Sequence, residues 1–272
     1  MPLACTVRGC ASPLARDERV FRCGAGHSFD VARSGYVNLL QPHDKHSLTP
    51  GDSPEAVRAR RALFDAGFGD VLRSALIDVV ERASLPSSAS VADLGCGEGT
   101  FLAALAARFE CEGFGVDISA PAIEAAAKRH PQVTWIVANA DRRLPFTDGA
   151  LALVLSVDGR RNAVECARVL GSGAALVIAV PASDDLCELR QSILGEAHAV
   201  ERAEALIAEF ADGFVLEERA VARDRRRLDA AQLADLALAT YRCARSSEKR
   251  ALDEIDALEV TTSHEILRFR RR

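Results

Sequence analysis

The stretch SVADLGCGEGTFLAAL, residues 90–105, constrains the fold more than any other part of the chain. It reads as a short apolar strand, 91–94, that runs into three alternating glycines, Gly95, Gly97 and Gly99. A helix with apolar residues at Phe101, Leu102 and Leu105 follows. Glycines at a strand-to-helix turn let a ligand approach the backbone at the carboxyl end of a parallel sheet. Further on, GFGVDIS predicts a second strand ending in Asp117, an acid placed to accept hydrogen bonds from ribose hydroxyls. VTWIVAN predicts a third strand ending at Asn139, and RRLPFTDGALALVLSV turns into a fourth. This order of elements specifies an open, doubly wound α/β sheet. AALVIAV supplies a fifth strand, and the extended segments FVLEERAVA and VTTSHEILRFRR flank the helix LDAAQLADLALAT. The closing arginines read as a solvated end.

The turn is G-x-G-x-G after an aspartate, not the G-x-G-x-x-G that aims a helix N-terminus at a pyrophosphate. S-adenosylmethionine has no phosphate, but its ammonium can be positioned by a carboxylate such as Asp93. The stretch resembles motif I of class I methyltransferases, and GVDIS and ANADRRLPF are similar to the two motifs that follow. The resemblance implies a Rossmann-like methyltransferase sheet. It also implies S-adenosylmethionine at Asp93, Gly95, Gly97, Gly99, Asp117, Ile118, Asn139 and Ala140.

Ahead of the sheet stand Cys5 and Cys10, then Cys23 and His27, with the twelve residues ASPLARDERVFR between the pairs. Two knuckles joined by a hairpin-length spacer can set three thiolates and an imidazole around one ion, as in closed Cys3His zinc sites. A fully ligated ion has no open position for water, so this zinc is expected to be structural. The other cysteines, Cys96, Cys111, Cys166, Cys187 and Cys243, lie in apolar segments and read as small core residues. No secretion signal or transmembrane run is evident, so thiols or metal ligands and a cytoplasmic setting are expected. The formal charge of −5 argues against a nucleic-acid binder overall, although residues 1–75 carry ten basic against eight acidic side chains.

CGAGHSFDVARSGYVNLLQP and GDSPEAVRARRALFDAGF resemble the front half of the bacterial large-subunit rRNA guanine-N1-methyltransferases. That resemblance implies a zinc-binding domain over 1–45, a helical connector over 46–84 and an S-adenosylmethionine-dependent methyltransferase domain over 85–272. It implies Cys5, Cys10, Cys23 and His27 as zinc ligands, with a core separate from that of the sheet. Its implied partner is a hairpin of 23S rRNA, touched by Arg33, Lys45, Arg58, Arg60 and Arg61. Arg58 and Arg61 can share a helix face while Arg60 points elsewhere. No membrane partner is implied, and a homodimer is left open.

The chain departs from the family pattern at the Cys-x4-Cys knuckle, at SVDGRRN after the fourth strand, at GSGA and at LATYRC. The donor half therefore matches while the acceptor half differs. Guanine N1 carries a proton that must leave for methyl transfer, and Asp158 is the carboxylate best placed to take it. A different methyl acceptor, or an RNA-binding relative without catalysis, stands beside rRNA methylation as an alternative.

Overall fold

The computed structural model describes residues 1–44, 47, 50–195, 200–241 and 246–272. A three-stranded antiparallel sheet comes first, made of β1 (Leu14–Asp17), β2 (Val20–Cys23) and β3 (Ser28–Asp30). Next come β4 (Val37–Asn38), α1 (Pro54–Asp65) and α2 (Asp70–Glu81). The alternating part is β5 (Ser90–Leu94), α3 (Thr100–Phe109), β6 (Glu112–Asp117), α4 (Ala120–Arg129), β7 (Thr134–Val137), β8 (Leu151–Val157), α5 (Ala163–Val169) and β9 (Leu170–Pro181). The chain ends with α6 (Cys187–Leu194), α7 (Ala203–Phe210), β10 (Phe214–Asp229), α8 (Ala230–Tyr241), α9 (Ser246–Asp253) and β11 (Ala257–Arg271).

The large sheet has the order β10-β11-β9-β8-β5-β6-β7-β4. Strands β4 to β9 run parallel, and β10 and β11 are antiparallel. Connections leave β5 in one direction through β6 and β7, then return to β8 and β9 on its other side. The crevice beyond the carboxyl ends of β5 and β8 is therefore the topological switch point, where ligands of such sheets bind. Helices α2, α3 and α4 cover one face through Leu76, Leu102 and Ile123, while α5 and α7 cover the other through Cys166 and Phe210. A third apolar cluster joins Leu63 of α1, Leu189 of α6 and Leu233 of α8 at the carboxyl edge.

Two features differ from the sequence expectation. The N-terminal segment is not a body with its own core. Leu3, Leu14 and Phe21 belong to the same buried cluster as Phe114 and Phe146. Leu3 bridges to Phe146, Ala4 N–H donates to the Pro145 carbonyl, and β4 pairs with β7. A small ribbon buries too little surface to stand alone, so its apolar residues are covered by the larger sheet. The boundary at residue 45 thus lies beyond a strand of the methyltransferase sheet.

The second difference is at the carboxyl terminus. Arg268 and Arg270 pair with Glu217, and the Arg271 guanidinium donates to the Leu170 carbonyl. The closing arginines belong to β11 and to a cross-strand ion-pair ladder, not to a solvated end. Glu218 faces Arg268 directly across the strand pair, and Arg219–Glu265 and Arg225–Glu259 bridge it diagonally.

Candidate functional site

The donor end is built from β5, β6 and the glycine turn. Asp93 is 1% exposed near the carboxyl end of β5, and its Oδ1 has no hydrogen-bond partner among the described residues. Burial, and then the neighbouring charge of Asp117, push its carboxyl up to about 8. A buried carboxylate without a partner is costly and calls for a cation or donor from a ligand. Asp117 turns one oxygen to the Gly97 N–H at 2.9 Å and the other to the Ser119 N–H at 2.8 Å, which locks the glycine turn to the end of β6. Burial raises the Asp117 carboxyl, opposed by those two backbone donors.

The three glycines serve different ends. A Cβ on Gly99 would lie 2.2 Å from the Trp135 ring, so this position is closed by packing. At Gly95 a Cβ would lie 2.7 Å from the Gly159 Cα, because the segment after β8 presses on the turn. Gly97 (φ +55°) faces space, with Arg60 Nη1 3.6 Å from where its Cβ would be. That is the cradle into which a ligand can descend. Asn139 is buried just past β7, where its amide donates to the Asp44 carbonyl and its Oδ1 accepts from Asp141 N–H. Ile118 and the buried Ala140 flank the same edge. An orphaned carboxylate, a second acid at the end of β6 and an open glycine fit S-adenosylmethionine.

Helix α1 closes over this end. Ser53 caps it by accepting from Ala56 N–H, and Pro54 occupies its first turn. Asp52 ahead of the cap gives its carbonyl to the Ser119 hydroxyl at 2.8 Å, and its carboxylate holds Arg60 at 2.6 Å. Arg60 also donates to the Ala239 carbonyl of α8. It therefore sits inside the cap, beside the glycine turn. Arg58 and Arg61 lie outside it with surface partners, Glu55 and Asp65. Arg33 lines a groove with Tyr36 and Lys128 between the ribbon and α4. Lys45 lies outside the described residues.

The acceptor end follows β8. Asp158 has a left-handed backbone (φ +52°) and a half-exposed carboxylate, whose Oδ2 is 3.0 Å from Nε2 of His264 on β11. His264 and the nearby Asp185 carried no motif and were missed from the sequence. A pairing across 106 residues leaves no local signal.

In the N-terminal ribbon, tight turns bring four donors together: Cys10 N–H donates to the Val7 carbonyl, and Gly26 N–H to the Cys23 carbonyl. Cys10 Sγ and Cys23 Sγ are 3.8 Å apart, and His27 Nδ1 is 3.5 Å from Cys5 Sγ and 3.4 Å from Cys23 Sγ. A tetrahedron with Zn–S of about 2.3 Å and Zn–N of about 2.0–2.1 Å has edges of about 3.8 and 3.6 Å. The donor set fits zinc, and no position is left for a reacting water. The Ser12 hydroxyl and N–H draw the Cys10 thiol down to about 6, toward the thiolate that binds metal.

Residues 4–48 match the family described as RlmA, N-terminal, and residues 91–173 match a methyltransferase domain family. A putative 23S rRNA (guanine-N1-)-methyltransferase of Micromonospora griseorubida is 37% identical over 206 residues, covering 69% of this chain and 68% of that protein. The chain belongs to that family. A 23S rRNA (guanine(748)-N(1))-methyltransferase of Streptomyces fradiae is 41% identical over 182 residues, 66% of this chain. The aligned part spans 64% of that relative's length, just under two thirds. Among solved structures, a putative methyltransferase of Bacillus halodurans C-125 superposes with a TM-score of 0.52 at 17% identity, over 72% of this chain and 98% of that one. A geranyl diphosphate methyltransferase in complex with SAM gives 0.51 at 17%, over 83% and 93%. Both likenesses concern the fold. Among the described residues, no helix is long and apolar enough to cross a membrane.

Proposed function

We propose that this chain transfers a methyl group from S-adenosylmethionine to N1 of a guanine in a hairpin loop of 23S rRNA, in the cytoplasm. The observation that carries the reading is the placement of Asp158. Its carboxylate is half exposed, and the residue after it packs on the glycine turn of the donor end. An acid so placed can meet an acceptor atom brought up to the donor.

S-adenosylmethionine, when bound, supplies an electrophilic methyl group on a sulfonium. The chain's own residues do the rest. Asp93, with its unpartnered oxygen, would hold the ammonium; Asp117, which anchors the turn, would hold the ribose hydroxyls; and Arg60 with α1 and α8 would exclude water. Asp158 takes the N1 proton, so that the nitrogen presents a lone pair in line with the methyl group. The Watson–Crick edge of guanine is hidden in a duplex, so the target base lies in a loop or is extruded. Arg33 beside the ribbon, with Arg58 and Arg61 on the outer face of α1, would track the RNA backbone.

Primer extension tests the reading. After incubation with protein and S-adenosylmethionine, reverse transcription of 23S rRNA is expected to halt one nucleotide before a single guanine. Read-through at every guanine would overturn it.

A further inference from the structure

At the carboxyl end of the sheet, Asp158 meets two titratable side chains that no motif anticipated, His264 and Asp185. We infer that His264 is a positioning residue for the methyl acceptor: it holds the Asp158 carboxylate, and the two together receive the guanine N1 proton. The inference rests on the guanine-N1 reading above and adds the residue that makes Asp158 competent.

Four observations meet at this point. Strands β10 and β11 pair from Phe214↔Arg271 to Asp229↔Ala257, but β11 pairs with β9 only over 264–270. The first part of β11 therefore projects beyond the sheet, and His264, opposite Pro181, stands where it leaves β9. From there the imidazole reaches across the end of β9 to Asp158, whose N–H is tied to the Ala179 carbonyl. Second, exposure is divided between the partners: the His264 side chain is 13% exposed and that of Asp158 49%. The carboxylate meets the solvent side, and the imidazole stands behind it.

Third, Asp158 is a non-glycine residue held in the left-handed region, and it is followed by a glycine that nothing else could replace. A Cβ on Gly159 would lie 2.1 Å from the Leu94 carbonyl oxygen. Backbone strain of this kind persists where surroundings over-determine it, and here it aims a carboxylate beside the donor turn. Fourth, a second carboxylate, that of the half-buried Asp185 before α6, accepts from Ser263 N–H of the same strand as His264 at 2.9 Å.

The charged groups around the ring are Asp158 after β8 and Asp185 before α6. Arg190 acts on Asp185, and Arg161 interacts with the Asp158 charge. The cross-strand neighbours, Ala222 and Pro181, are uncharged. Burial works against a charge on the imidazole, but the Asp158 charge and hydrogen bond, with Asp185, outweigh it and leave His264 above its ordinary value. The group is not assembled for metal. Among the described residues, the convergent donor set is the N-terminal Cys5, Cys10, Cys23 and His27.

In the step, the N1–H bond breaks and its proton passes to Asp158, with the Asp158–His264 pair holding it. The electron pair left on N1 forms the new N–CH3 bond, while the sulfonium–methyl pair stays on sulfur to give the neutral thioether. At pH values where the His264 imidazole is already protonated, the pair holds one proton and is a weaker acceptor for a second. The rate is therefore expected to rise with pH through the titration of the pair.

The test is single-turnover methylation of a 23S rRNA hairpin against pH, with S-adenosylmethionine affinity measured by calorimetry. For Asp158→Asn the rate should fall by about a hundredfold, and for His264→Asn by at least about tenfold. In His264→Asn the acid limb should move toward the carboxylate range, while donor affinity stays within about twofold. A His264→Asn protein with the wild-type rate and pH limb would overturn the inference. A second readout needs no folded His264 variant: in Asp158→Asn the ring-proton NMR titration of His264 should move to lower pH. An unmoved titration would overturn the pairing. If wild-type protein places no methyl on guanine N1, the proposed function falls and this inference with it; a methylating wild type with an indifferent His264→Asn sinks only the inference.

Discussion

Asp93 is a carboxylate held in the protein interior with one oxygen unpartnered, and its chemistry follows from that position. Its folded pKa of about 8 lies above the ~3.9 of an unfolded aspartate. The unfolded chain therefore binds fewer protons between those values. The stability this group contributes is full below about pH 4 and is lost as pH rises through about 8. Asp93→Asn should flatten ligand-free melting temperature against pH over that window and raise it at the alkaline end, by thermal denaturation. An ammonium above Asp93 favours the ionised form, so donor binding near neutral pH should release a proton, read by calorimetry in buffers of different ionisation enthalpy. At the same scale, Asp117→Ala removes the anchor of the Gly97 turn and, on the proposed reading, the acceptors for the ribose hydroxyls. Donor binding should weaken by about 2–3 kcal/mol, as for charge-assisted hydrogen bonds.

Helix α1 shows how one element divides its work. Arg60 points into the cap, held by Asp52 and the Ala239 carbonyl, while Arg58 and Arg61 point out. Arg60→Ala should weaken donor binding about tenfold, as expected for loss of charge-assisted hydrogen bonds beside the turn. The double variant Arg58→Ala/Arg61→Ala should spare donor binding, lower rRNA affinity and flatten its salt dependence, by titration at several salt concentrations. The helical spacing told Arg60 apart from its neighbours, but its destination was set by α8, far along the chain. The same division runs through the fold. Asp93, the glycine turn and Asp117 were legible because a strand, its turn and its helix are written in consecutive residues. β4 has two residues and no periodicity, and it forms because the edge of β7 offers it partners. His264 sits in an extended run whose pairing partners alone give it meaning. β10, with sixteen residues, extends well past FVLEERAVA, and β11 runs beside it and supplies Glu265 to Arg219 and Glu259 to Arg225.

At the scale of the molecule, ribbon and sheet are one packed body. Leu3, Phe21 and Phe146 lie in one cluster, and the ribbon's second half ends as a strand of the large sheet. Structural zinc contributes directly to the folding of such a segment. Cys23→Ser, or removal of zinc by a chelator, should therefore lower the melting temperature of the whole chain in one calorimetric transition. An independent ribbon would instead give a separate low-temperature transition and leave the main one in place. Metal analysis should find one zinc per chain.

Mass analysis of nucleosides from 23S rRNA, treated with wild-type protein and S-adenosylmethionine, decides whether the chain methylates guanine N1. The expected product is 1-methylguanosine, one per rRNA, in a fragment that maps to a hairpin loop. Its absence, with the donor bound and zinc in place, or a methyl group on another atom or base, would contradict it.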